Sequence, residues 1–214
     1  MWGENPRERD GMEQISEYPG PSLDDYANVL ALNTAFIRVA FELKSPQRGR
    51  LAAAPFLLFS FRERDAEWWQ DALVERRQAD LLAIPELDNP ELQRIQTAAI
   101  SFLWQLARRN PYAARIISGA TVAWCETITE LPLVTLLDRI AARGDLMQSR
   151  LDNPALFGER LLGNGTSSRR KVRTSSQMTA LQSLLTRPRS DNHTRLPAAA
   201  CRMATPMRVR DKKM

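Results

Sequence analysis

The chain has 214 residues, 43% of them hydrophobic and 26% charged, which is enough for one compact domain with extensions. The charged amino terminus excludes a signal peptide, and the longest nearly apolar stretch, Leu51 to Phe61, is far short of the ~20 residues that cross a bilayer, so a cytoplasmic protein without a membrane span is expected. The formal net charge of +5 is unevenly spread: residues 1–164 hold 18 basic and 23 acidic side chains, whereas residues 165–214 hold 12 and 2, a segment that attracts polyanions.

Residues 1–21 read as a flexible extension, in which Met12 serves as a start as well as Met1 does. Ser22 is placed to cap a helix with the Asp25 carboxylate at its third position. Val29, Leu32, Phe36, Val39 and Leu43 then follow at alternating steps of three and four. Leu30, Ile37 and Phe41 add a second apolar face, so this helix is either central to the core or packed on a second subunit, and both readings stay open here. "KSPQRG" breaks it. From Arg50 to Ile84 the pattern predicts two more helical segments, kinked at Pro55 and separated near Arg62 to Asp65. The adjacent Trp68 and Trp69 cannot both face one core.

Asn89-Pro90, Asn110-Pro111 and Asn153-Pro154 each read as a helix start, with Asn capping free amides and Pro in the first turn. Leu92, Ile95, Ala99, Phe102 and Leu106 form one stripe; Leu133, Leu136, Leu137 and Ile140 form another. Pro111 to Ser118, a turn at Gly119, and Val122 to Thr129 capped by Thr121 have a helix-turn-helix layout. Arg115 stands just before the turn, where close helix packing favours a small residue. The second helix, "TVAWCETITE", has no Arg, Lys, Asn or Gln to reach bases and carries Glu126 and Glu130, so it is expected to pack rather than read sequence.

No alternating strand pattern of useful length occurs. The fold class is therefore all-α: a multi-helix bundle over 22–164 with a helix-turn-helix-like segment, followed by a basic low-order tail over 165–214 that contains one short helix at 176–186. From Arg187 onward too few large apolar residues remain to offset the entropy of ordering.

The residue types argue against enzyme chemistry. The single histidine, His193, lies in the tail, away from any rigid support. "SRRK" (Ser168 to Lys171) and "SDN" (Ser190 to Asn192) spell parts of a serine-enzyme pattern but lack its K-T-G and a desolvated lysine. "GNGT" lacks the lysine and preceding strand of a phosphate loop. Glu63, Asp65, Glu67 and Asp71 alternate with Arg62 and Arg64 and read as a solvated helix start with local ion pairs. Cys125 and Cys201 have no metal-ligand or disulfide spacing. No catalytic residue, metal, cofactor or small-molecule substrate is expected.

"ALNTAFIRVAFEL" (Ala31 to Leu43) resembles the first helix of the FlhD family of bacterial flagellar master regulators. "ISGATVAWCETITELPLVTLLDRIAARGDLMQSRLDN" (Ile117 to Asn153) is similar to that family's Gly turn, short helix, Leu-Pro junction and leucine-rich helix, carried by Gly119, Leu131-Pro132, Leu136-Leu137 and Arg150-Leu151. The resemblance implies a small helical cytoplasmic regulator that oligomerises and acts in transcription activation.

Two functional readings follow. In the first, a DNA-associated regulator, Arg169, Arg170, Lys171 and Arg173 contact phosphates, joined by Arg108, Arg109, Arg139 and Arg143. In the second, a protein-binding adaptor, Phe56, Phe59, Phe61, Trp68 and Trp69 anchor a partner, as aromatic residues do at interface hot spots. Against these stand a core role for the aromatics and a solubilising role for the tail.

Overall fold

Asn33 organises the middle of the protein. A computed structural model describes residues 20–74, 89–152 and 157–186. In it the buried Asn33 amide lies on α1 (Leu23–Ala40) and faces the chain that follows α2 (Ser45–Ala52). Its Nδ2 donates to the carbonyls of Ala52 at 3.3 Å and Phe56 at 2.9 Å, and its Oδ1 accepts from the Leu58 amide at 3.0 Å. One side chain thereby supplies hydrogen bonds that a buried, extended backbone cannot make within itself.

That backbone is the stretch predicted to be a kinked helix. The helix instead ends at Ala52, and the "KSPQRG" run expected as a break supplies its cap position, Lys44, and its first residues. Pro55 disfavours helical geometry in the residue before it, and Phe56 through Phe61 are all buried, as a strand enclosed on both faces would be. The Leu57 amide donates to Ile117 O at 2.9 Å and the Arg150 amide to Leu58 O at 3.0 Å. Phe59 and Ser60 form β1, which pairs antiparallel with β2 (Gln148–Ser149) in the register Phe59 with Ser149 and Ser60 with Gln148. Phe36 and Phe59 pack with ring centroids 4.9 Å apart, and Phe59 and Phe61 at 5.5 Å.

The helices enclose this segment. Ser22 and Asp25 form the expected capping box at the start of α1. Burial alone would raise the Asp25 carboxyl; the Ser22 amide and hydroxyl and the Arg109 guanidinium hold it below its ordinary range. Of the apolar seam, Val29 and Phe36 are fully buried within the monomer, with Leu32, Val39 and Leu43 packed beside them, while Leu30 stays on the outer surface. Asp65 caps α3 (Ala66–Leu73). Asn89 and Asn110 cap α4 (Pro90–Arg109) and α5 (Pro111–Ser118), with Pro in the first turn of each. The long α4 packs on α1, α5, α6 (Val122–Thr129) and α7 (Leu133–Ala141), and its Ala99 and Leu103 are fully buried.

Among the described residues the fold is helical apart from the two short strands. No described helix is long and apolar enough to cross a membrane. After α8 (Glu159–Gly163) and a 3-10 turn (Asn164–Thr166), α9 runs from Arg170 to Thr186. The helix expected at 176–186 is the later part of this longer one. Met1, Met12, residues 75–88, the Asn153-Pro154 start, Ser190 to Asn192, His193, Cys201 and the tail from Arg187 lie outside the described residues.

Candidate nucleic-acid interface

The cluster of Arg169, Arg170, Lys171 and Arg173, expected in the basic low-order tail ahead of its short helix, stands at the amino end of α9. The approach is built by short polar contacts: Thr166 Oγ1 donates to Leu162 O at 2.7 Å, the Ser167 amide to Asn164 O at 3.1 Å, and Ser167 Oγ accepts from the Arg169 amide at 3.2 Å. Arg169, Arg170 and Lys171 are exposed. Arg173 is half-buried and donates from Nη1 to Ser167 O at 2.9 Å. α9 contains no Asp or Glu.

The other end of α9 is tied into the helix-turn-helix-like unit. Gly119 ends α5 in the left-handed conformation, at φ +69°, and a Cβ there would lie 2.5 Å from Leu184 carbons. Only glycine meets both demands. Arg64 donates to Gly119 O at 3.2 Å and also to Leu184 O. Between the two ends Ser176, Gln177 and Ala180 are buried; Ser176 Oγ donates to Arg160 O at 2.8 Å and Gln177 Nε2 to Arg50 O at 3.3 Å. The charged cluster therefore sits on an element docked to the body, because Ala180, Leu184 and Gly119 provide a packing face that local composition hides.

The other four expected phosphate contacts lie elsewhere. Arg109 pairs with Asp25 at 2.5 Å, Arg143 with Asp71 at 2.6 Å, and Arg139 donates to Leu73 O. These three tie elements together: Arg109 joins α4 to α1, Arg139 joins α7 to α3, and Arg143 joins the turn after α7 to α3. Arg108 is exposed, with its guanidinium 4.8 Å over the Trp104 ring. α9 packs on the 3-10 turn, α8 and α5. Within the turn motif, Trp124, Cys125 and Ile128 of α6 are buried and Glu126 and Glu130 are exposed, a face that repels phosphate. Arg115 is exposed, which is how the turn tolerates it.

The aromatic surface of the adaptor reading is core. Phe56, Phe59 and Phe61 are fully buried and Trp69 is 2% exposed, because the extended segment passes through the domain rather than along it. Trp68 is half-buried, edge-on to Trp69 at 5.2 Å and beneath Arg62 at 5.5 Å. Four of the five residues cannot anchor a partner without unfolding.

The acidic run is also not one solvated face. Asp65 pairs with Arg62 at 2.5 Å and Asp71 with Arg143, but Glu63 is buried and meets Arg150 at 2.8 Å. Burial pushes the Glu63 carboxyl up, with Arg150 opposing. Arg150 further donates to Phe59 O at 2.9 Å and to Ser118 O, joining β1 to the end of α5. A buried carboxylate could have been suspected only from its long-range partner, 87 positions away. Burial likewise raises the Cys125 thiol to about 12, which keeps it protonated. Ser168 and Lys171 are both exposed, without the desolvation a serine nucleophile needs.

Sequence reasoning missed Arg50 and Arg160, whose backbone carbonyls receive bonds from α9, and Arg64, which fixes its far end. Among the described residues no group of three or more His, Cys, Asp or Glu side chains is placed to hold a metal ion. Comparison with known proteins gives no match: no family model fits the chain, and no curated protein or solved structure is similar to it.

Proposed function

We propose that this is a non-enzymatic, nucleic-acid-associated regulatory protein that contacts phosphates through the start of α9. The observation that carries the reading is the exposure of Arg169, Arg170 and Lys171 together at the amino end of an acid-free helix. Cations there oppose the helix dipole, at about 0.3–1 kcal/mol each, whereas an anion is favoured by both the dipole and the free amides. A phosphate backbone relieves the repulsion and the packed α9 holds the charges in place. Transcription control, the activity implied by the resemblance to flagellar regulators, belongs to the same proposal. The exposed Glu126 and Glu130 support placing the affinity on α9 rather than on the helix-turn-helix-like unit.

The test is fluorescence anisotropy of labelled duplex DNA with the full chain and with Arg169→Glu/Arg170→Glu/Lys171→Glu, across a salt series. The reading expects the log-log salt slope to fall by about 3 in the variant, near 0.9 per lost phosphate contact. An unchanged affinity and slope in a variant that melts like the parent would contradict it.

A further inference from the structure

Arg169, Arg170, Lys171 and Arg173 crowd cations into the start of α9, where they repel one another and oppose the helix dipole. Such a turn does not hold itself wound, because helical stability in a protein comes mostly from tertiary packing. Arg50, in the last turn of α2, makes contacts on both sides of the cluster. Its Nη1 donates to Thr166 O at 3.2 Å, three residues before Arg169, and its carbonyl accepts from Gln177 Nε2 at 3.3 Å, four residues after Arg173. Thr166 is itself fixed, with Oγ1 at 2.7 Å from Leu162 O and 3.0 Å from Gly163 O. Gln177 is buried, and beside it Ser176 Oγ donates to Arg160 O at 2.8 Å. Inside the span, Arg173 Nη1 donates to Ser167 O at 2.9 Å and so turns back on the approach to the helix.

We infer that Arg50 and Gln177 are positioning residues for the α9 cluster: they clamp the chain on either side of it and hold Arg169, Arg170 and Lys171 as one preformed set for phosphate, without touching the ligand themselves. The inference rests on the phosphate-binding reading of α9 and adds the residues that set its geometry. Three observations carry it. The two bonds span 116 and 127 positions of the chain, so the clamp belongs to the folded body and not to α9 alone. Gln177 is uncharged and buried, so it acts on a phosphate only through the helix that carries it. The Arg50 side chain is half-buried with Nη1 on a backbone carbonyl, whereas Arg169, Arg170 and Lys171 are exposed. Fixing the backbone beneath three long cationic side chains before the ligand arrives removes part of the ordering cost of binding.

The experiment uses the full chain and a random-sequence labelled duplex, with anisotropy read across a salt series. Affinity at one salt concentration reports how well the cations are placed, and the log-log salt slope reports how many phosphates they meet, at about 0.9 per contact. Gln177→Leu, which changes no charge, is expected to bind roughly fivefold or more weakly with the slope of the parent. Arg50→Gln is expected to lose affinity likewise, with its slope moved by well under the value of one contact. Arg169→Glu/Arg170→Glu/Lys171→Glu instead lowers the slope itself. Thermal melts monitor the fold, and Arg50→Gln, which leaves the backbone carbonyl of that position in place, carries the test if Gln177→Leu unfolds. If the α9 variant loses affinity while Gln177→Leu and Arg50→Gln bind like the parent, the clamp is overturned and the reading of the cluster stands. A slope lowered by about 0.9 in Arg50→Gln, with Gln177→Leu unchanged, makes Arg50 a phosphate contact and also overturns the clamp. If the α9 variant itself binds like the parent, the reading of the cluster falls and the inference falls with it.

Discussion

At the residue scale, Asn33 shows how a polar side chain can stabilise an apolar core. Leucine at this position would fill a similar volume and leave the Leu58 amide and the Phe56 carbonyl buried without this partner. Each such loss costs about 1–3 kcal/mol, so Asn33→Leu is expected to lower unfolding stability by about 3–5 kcal/mol in denaturant titrations. A change below about 1 kcal/mol would mean that the extended segment holds itself. The Asp25 carboxylate makes a pH-dependent contribution. Its folded pKa lies below the ordinary value of 3.8, so its stabilisation is fully present above that value and is lost as pH falls through the lower folded value. Asp25→Asn should flatten the acid limb of the stability curve below about pH 4 and reduce stability at neutral pH, as read by thermal melts.

At the scale of elements, α9 is the informative case. A chain ending at Asn164 loses Ala180 and Leu184 from the core and the Leu184 acceptor of Arg64. It is expected to melt about 10 °C or more below the parent, at 2–4 °C for each kcal/mol lost. Unchanged melting would show that α9 is only loosely attached. The elements that were legible in the sequence are those written in local chemistry. Ser22 with Asp25, the Asn-Pro starts at 89 and 110, and Gly119 before Thr121 each satisfy hydrogen bonds within a few residues, and all four signals stand in the structure. The misread elements depend on distant partners. "APFLLFSF" has the composition of a buried helix until Asn33, Ile117 and Arg150 supply its hydrogen bonds. "SSRRKVRTSS" reads as a solvated link until Arg64 and Gly119 receive the far end of its helix. Of the candidate site, Arg169 to Arg173 stood out as a local charge run, whereas the bonds that dock α9 on the Arg50 and Arg160 carbonyls join segments distant in the chain and were not legible.

At the scale of the whole molecule, acidic and basic regions do different work. Arg109, Arg139, Arg143 and Arg150 are held by carboxylates or carbonyls that tie elements together, and in the pair of Arg109 with Asp25 the guanidinium is exposed while the carboxylate is buried. Of the exposed cations, Arg169, Arg170 and Lys171 stand together at the start of α9, while Arg38, Arg94, Arg108 and Arg115 are carried by α1, α4 and α5. The proposed phosphate binding by the start of α9 would be electrostatic and should weaken steeply with salt.

The most direct measurement compares duplex binding by the full chain with binding by a chain that ends at Thr186, which keeps α9 and removes the basic residues beyond it. If the start of α9 is the binding surface, the shorter chain still binds duplex, with a log-log salt slope of at least about 3 from Arg169, Arg170 and Lys171. Loss of all binding in a shorter chain that melts like the parent would contradict that claim and assign the affinity to residues 187–214.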